Sequence, residues 1–173
     1  WVPLVAKLCA LWGALVVLML VGSSATMLFQ LIKGYTNLEL DLYATSLFGL
    51  DLPTWMVVAT LAVFFQVVAN HKFAGYGLMV AYYVLRAALP AMGYSHPLYS
   101  YAAMPSAPYS DMNGFGHFVQ PALWFRIYWG LAALVLVLIA NLFWLRGTDN
   151  RLRLRLRQAR RRITRLNTTL LAI

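Results

Sequence analysis

Between Leu8 and Ile32 the chain runs for twenty-five residues without a charged side chain. At 1.5 Å rise per residue a helix of that length reaches about 37 Å, enough to cross a hydrocarbon core about 30 Å thick at a tilt. A soluble domain cannot bury such a stretch and rarely contains one. Composition carries the same message: 62% of the 173 residues are apolar and 11% are charged, against roughly 45–50% and about 25% in ordinary soluble domains. A polytopic membrane protein is therefore the expected class, and disorder, collagen and a disulfide scaffold are excluded. The single Cys9 has no partner in the chain.

Three further apolar runs follow. Leu52 to Asn70 is uncharged over nineteen residues and is entered through Pro53, a residue suited to a first helical turn. A third run, 73–92, is interrupted late by Arg86 and Pro90, and a fourth, 122–145, carries Arg126 near its start. Both arginines are expected to snorkel to the interface along their aliphatic stems. The reading is an all-α, polytopic helix bundle over 1–145, with four spans at 8–32, 52–70, 73–92 and 122–145. A cleaved signal peptide at the N-terminus is the weaker reading, because the apolar run is too long for an h-region. The chain opens on Trp1 rather than Met, so an internal piece of a larger protein is expected.

The net charge of +9 is a property of one segment. Nine of the fourteen basic residues are Arg146, Arg151, Arg153, Arg155, Arg157, Arg160, Arg161, Arg162 and Arg165, opposed there by Asp149 alone. Lys and Arg are retained on the cytoplasmic side of short loops, so an even number of spans puts both ends of the chain in the cytoplasm, together with Asn70, His71 and Lys72. Residues 33–51 and 93–121 become the outer loops. Trp12, Trp55, Trp124, Trp129 and Trp144 lie mostly near span ends, as an aromatic belt would.

In the tail, Leu152, Leu156, Ala159, Ile163 and Leu166 recur at steps of four and three, the spacing of one helical face. A basic amphipathic helix over 146–166 is expected on the inner leaflet, where each Arg contributes about 1 kcal/mol near anionic lipid. His71, Lys72, Arg151, Arg153, Arg155, Arg157, Arg160, Arg161, Arg162 and Arg165 are the candidate contacts to lipid or to a cytoplasmic partner. Residues 167–173 turn apolar again and could begin a further span. No aromatic residue interleaves with the arginines, which argues against nucleic acid as a partner.

The outer loops differ in kind. Leu38, Leu42, Leu47 and Leu50, with Glu39, Asp41 and Asp51 among them, suit a short amphipathic helix on the outer surface. The second loop holds four prolines, three glycines and four tyrosines and fits neither regular period, so an ordered aromatic cap is expected. His96, Asp111 and His117 are metal-capable types, but no compact ligand spacing joins them. They are read as hydrogen-bonding loop residues, and no metal or cofactor is assigned. Inside the spans, Ser23, Ser24, Thr26, Gln30, Gln66 and Asn141 are read as interhelical hydrogen-bonding groups. A P-loop and an HExxH helix are both absent from the sequence, so no catalytic site is expected in this chain.

One stretch is distinctive. The run HPLYSY from His96 and the run PSAPYSDMNGFGHF from Pro105 to Phe118, with GYTNLEL from Gly34 and WFRIYW from Trp124, resemble bacterial ABC transporter permeases fused to a zinc aminopeptidase. The residues that carry the outer-loop motif are His96, Tyr99, Pro105, Pro108, Tyr109, Asp111, Asn113, Gly114, Gly116 and His117. The resemblance implies late permease spans of the exporter class in a bacterial inner membrane, packed against other spans of the same full-length chain and driven by a separate ATP-binding subunit. It also implies a peptidase domain further along, none of whose zinc motif occurs here. The alternative is a membrane anchor that positions an extracytoplasmic peptidase without transporting anything.

Overall fold

A computed structural model of the chain describes residues 2–144, apart from 111 and 113. The basic helix expected over 146–166 and the apolar end at 167–173 lie outside the described residues. Helix α1 spans Val2–Ile32. A short α2, Leu40–Tyr43, runs into a π-helical segment, Ala44–Asp51, and then into α3, Leu52–Ala69. Helix α4 is Lys72–Ala88 and α5 is Val119–Phe143. Short 3₁₀ turns at Pro90–Met92, Pro97–Tyr99 and Gly116–Phe118 punctuate the long loop between α4 and α5. Among the described residues no strand is formed, only one isolated bridge, between Ser110 and Gly114.

Local chemistry sets the ends of these helices. Helix α1 stops at Gly34, whose φ of +83° is the left-handed conformation glycine adopts without strain. There the Gly34 amide donates to the Leu31 carbonyl and the Tyr35 amide to Gln30, covering carbonyls that the helix leaves open. Helix α3 ends the same way on Asn70, left-handed at φ +51°, with its amide on the Gln66 carbonyl. Two residues later α4 begins, so α3 and α4 form a tight helical hairpin.

The expected amphipathic helix at 38–51 is helical but is not a separate surface element. It continues without a break into α3, so the helix from Leu40 to Ala69 is 30 residues long. Pro53 explains the wide turns before it: a proline lacks the amide that would close an ordinary turn, and the π segment lets Leu52 bond back five residues, to Leu47.

Helix α3 is the centre of the bundle, in contact with α1, α4 and α5. Four consecutive residues, Val58, Ala59, Thr60 and Leu61, are buried. Successive helical residues point about 100° apart, so four in a row buried means a helix enclosed on every side. Leu4 and Leu8 of α1 meet Ala140 of α5 against Val63, Phe64 and Val67, which places the start of α1, the end of α3 and the end of α5 at one level. With the start of α4, these make the hairpin end of the bundle. The loop end is the opposite one.

The distribution of apolar side chains is inverted relative to a soluble protein. Buried positions are dominated by small residues, Ala59, Ala102, Ala122, Ala133 and Ala140, whereas Leu18, Val21, Leu28, Phe29, Val80, Val84, Leu131 and Leu134 are exposed. Three helical stretches, Val2–Ile32, Leu40–Ala69 and Gly116–Phe143, are long and apolar enough to cross a membrane. Helix α4 has 17 residues, about 26 Å at 1.5 Å each, shorter than a typical hydrocarbon core.

Gly75 marks the closest approach in the hairpin. A Cβ built there would lie 2.6 Å from the Gln66 side chain. Gly75→Val should force the helices apart and lower the thermal midpoint in detergent, a cost of about 1–3 kcal/mol, whereas Gly75→Ala should cost less because Gln66 can swing away. Melting curves of the two variants check the order.

Candidate functional site

At the loop end, residues 100–104 form a plug seated among three helices. The Tyr82 hydroxyl of α4 donates to the Tyr101 carbonyl at 2.6 Å, and the Trp129 indole N–H of α5 donates to the Ala103 carbonyl at 2.8 Å. Between those two carbonyls sits Ala102, 2% exposed and left-handed at φ +59°. A non-glycine residue in that region is strained by roughly 1–2 kcal/mol, and it persists because donors from two different helices hold the peptides on either side of it. Tyr101 completes the plug. Its hydroxyl donates to the Val57 carbonyl of α3 at 3.3 Å, and its ring meets Trp129 edge-on at 5.1 Å.

Arg126 lies on the same side of the bundle and corrects the snorkelling expectation. Its Nη2 donates to the Leu50 carbonyl at 3.3 Å, and its Nε is buried with no hydrogen-bond partner among the described residues. The guanidinium thus turns inward to the last turn of the π segment, next to Asp51. Thr54 donates to that same carbonyl at 3.1 Å and also to the Met104 sulfur at 3.1 Å. Arg86 keeps to the edge of α4, facing the Tyr82 hydroxyl.

The loop residues named from the sequence lie on either side of this plug along the chain. His96 accepts the Leu98 amide on Nδ1 at 3.2 Å and so caps the 3₁₀ turn that follows, leaving that nitrogen engaged as an acceptor. Tyr99 stands edge-on to Tyr94 at 5.2 Å and to His96 at 6.3 Å. Pro105 and Pro108 lie in an irregular stretch, 103–109. Beyond them Ser110 and Gly114 exchange backbone hydrogen bonds of 2.9 and 2.7 Å, closing a small turn in which Gly114 is left-handed. Tyr109 packs on Phe115 and His117 on Phe118, and Gly116 is also left-handed. Asp111 and Asn113 lie outside the described residues. No group of three potential metal ligands is brought together among the described residues.

At the hairpin end the site is of another kind. A cavity of about 620 Å³ opens between the start of α1, the end of α3, the start of α4 and the end of α5. His71 and Lys72 line it, and Lys7 joins them from α1. Lys7 Nζ stands 4.9 Å from the centre of the Trp144 ring, and Lys72 Nζ 4.9 Å from that of Phe73. Both are cation–π distances. The arginines named with His71 and Lys72, Arg151 to Arg165, lie outside the described residues.

Two groups of side chains take roles other than those expected. Trp129 is 7% exposed, and Trp12 donates its indole N–H to the Met56 carbonyl at 3.1 Å, so both bind the bundle internally, while Trp55 and Trp124 are exposed. Ser23 and Ser24 donate to the Leu20 carbonyl and Thr26 to Gly22 and Ser23 within α1 itself, rather than across helices. Gln30 does bond across elements, from α1 to the Tyr43 hydroxyl at 2.9 Å. Tyr82, Tyr101 and Lys7 carried no warning in the sequence beyond being polar residues near apolar runs.

Compared with protein-family profiles, curated proteins and solved structures, the chain finds no significant match.

Trp129→Phe keeps the ring but removes the donor to Ala103. It should cost about 1–2 kcal/mol and speed amide exchange across 100–104 with helix content unchanged in circular dichroism. Faster exchange spread evenly over all helices would show that the plug is not a distinct unit. Burial also pushes the Tyr101 hydroxyl above its ordinary value of 10.0. The unfolded chain then ionises first, so the stability from this buried phenol is constant below pH 10 and falls as pH rises beyond it. Tyr101→Phe should flatten that alkaline decline in denaturation midpoints.

Proposed function

We propose that the chain is a membrane-spanning part of an ABC-type permease of the exporter class, seated in a bacterial inner membrane and driven by a separate ATP-binding subunit. It is not itself an enzyme, and in the full-length protein it would be fused to an extracytoplasmic aminopeptidase. In this reading α4, with the 3₁₀ turn after it, makes a fourth crossing, the loop end faces outward, and the hairpin end and the arginine tail face the cytoplasm. The outer-loop plug then serves as a structural cap over the permease spans.

The observation that carries the reading is the antiparallel arrangement of α1, α3, α4 and α5 around a core of small residues, with large apolar side chains outside. Such a bundle suits lipid on its exterior and leaves Lys7, His71, Lys72 and the sequence leading to the arginines at one end. Lys33, Arg86 and Arg126 lie toward the other end, so it is the nine arginines that follow in the sequence, and not the described bundle, that supply the asymmetry expected from retention of basic residues on the cytoplasmic side. The choice of an ABC permease over other polytopic proteins rests on the resemblance of the outer-loop motif.

Vesicles holding the full-length protein and its ATP-binding subunit should show ATP-dependent flux. Changing Arg151, Arg153, Arg155, Arg157, Arg160, Arg161, Arg162 and Arg165 to Gln should weaken recovery of that subunit at least tenfold in co-purification. Peptidase activity that is complete without any ATPase, and vesicles without flux, would favour the membrane anchor instead.

A further inference from the structure

The cavity at the hairpin end combines three properties. It is large: about 620 Å³ lies within the roughly 300–1,000 Å³ typical of sites for small molecules. It is cationic at its rim, where Lys7 comes from α1, Lys72 from the start of α4 and His71 from the turn between α3 and α4, and no Asp or Glu is among the described residues that line it. Its walls are mostly apolar, built from Leu11, Val63, Val67 and Met79, with the neutral amides of Gln66 and Asn70 among them.

A soluble anion would use the rim and leave the walls wet. Instead, the apolar surface continues out of the cavity. Tyr76 lines it and is 62% exposed, and Phe73, Val80 and Val84 are 63–67% exposed. Positions 73, 76, 80 and 84 are spaced by three, four and four residues and fall on one face of α4. This stripe leads from the lysines toward the loop end. A cationic rim, an apolar recess and an apolar track leaving it are together complementary to a molecule with an anionic head and a hydrocarbon tail.

We propose that this cavity binds one anionic phospholipid of the surrounding leaflet, its phosphate between Lys7 and Lys72 and an acyl chain along Phe73, Tyr76, Val80 and Val84. Trp144, with Lys7 over its ring, sits at the level of the headgroup, where amphipathic aromatic rings are favoured. The site rests on the reading of the chain as membrane-embedded, and it holds whether or not the protein transports anything.

The test uses the full-length chain in phosphatidylcholine nanodiscs to which brominated phosphatidylglycerol is added in steps, with Trp144 fluorescence isolated by difference from Trp144→Phe. Saturable quenching is expected, and Lys7→Gln with Lys72→Gln should weaken it roughly five-fold each and about twenty-five-fold together. Lys33→Gln, at the other end of α1, should change nothing. Quenching by brominated phosphatidylcholine at the same concentrations would overturn the proposal. So would displacement by millimolar inorganic phosphate, which would mean a free-anion site, or loss of the preference only when the tail arginines are changed, which would mean general surface attraction. Binding in the wild-type protein is scored by lipid preference alone, so a lysine variant that fails to fold does not remove the test. Extraction of the chain from vesicles by alkaline carbonate would sink the membrane reading and the site with it; a chain that resists extraction but shows no lipid preference would sink the site alone.

Discussion

Enclosure of α3 is the constraint on which the rest of this structure depends. Its turn from Val58 to Leu61 is covered on all sides, which requires three neighbouring helices to approach one axis at once. Between helices in lipid there is no hydrophobic force to drive that approach, because the hydrocarbon outside is as apolar as the core. Close van der Waals contact and interhelical hydrogen bonds do the work, and small residues permit both. Ala59, Thr60, Gly75, Ala133 and Ala140 are buried or mark close approaches beside a few large side chains, Leu4, Leu8, Leu61 and Trp129, while many other large apolar side chains are left outside. An alanine-rich interior and a leucine-rich exterior are two consequences of one solvent.

Because the helices cannot be held by a large core, polar contacts at the loop end carry an unusual share of the specificity. The plug at 100–104 accepts hydrogen bonds from α4 and α5 and donates one to α3, so a single short segment reports on the relative position of three helices. A strained Ala102 at its centre fits that role, since the strain is tolerable only when all the donors are in place. Arg126 adds a fourth link, from α5 to the π segment ahead of α3. A cap that links helices in this way allows them to move relative to one another only when the plug is released.

The two ends of the bundle are chemically different. At the loop end the plug itself is closely packed, with a space of only about 10 Å³ beside it, while clefts of about 250 and 490 Å³ open around Asn37 and Glu39. The hairpin end is open, cationic and continuous with the exposed apolar face of α4.

Helix positions were legible in the sequence by itself. An uncharged run such as Leu8 to Ile32 must satisfy its amides internally if it meets lipid, and that rule needs no knowledge of neighbours. The basic character of the Asn70–Lys72 turn was readable for the same reason, since charge is a local property. What the sequence left open was the rotation of each helix about its axis. Helix α1 is apolar all round, so no face is marked for the core, and nothing in the sequence distinguishes a Trp that meets the interface, such as Trp124, from one that donates inward, such as Trp129. The pairing of Tyr101 with Val57, 44 residues apart, the inward turn of Arg126 and the meeting of Lys7 with Lys72 in one cavity were decided only when four helices packed together, because packing is what orients a helix that composition leaves without a preferred side.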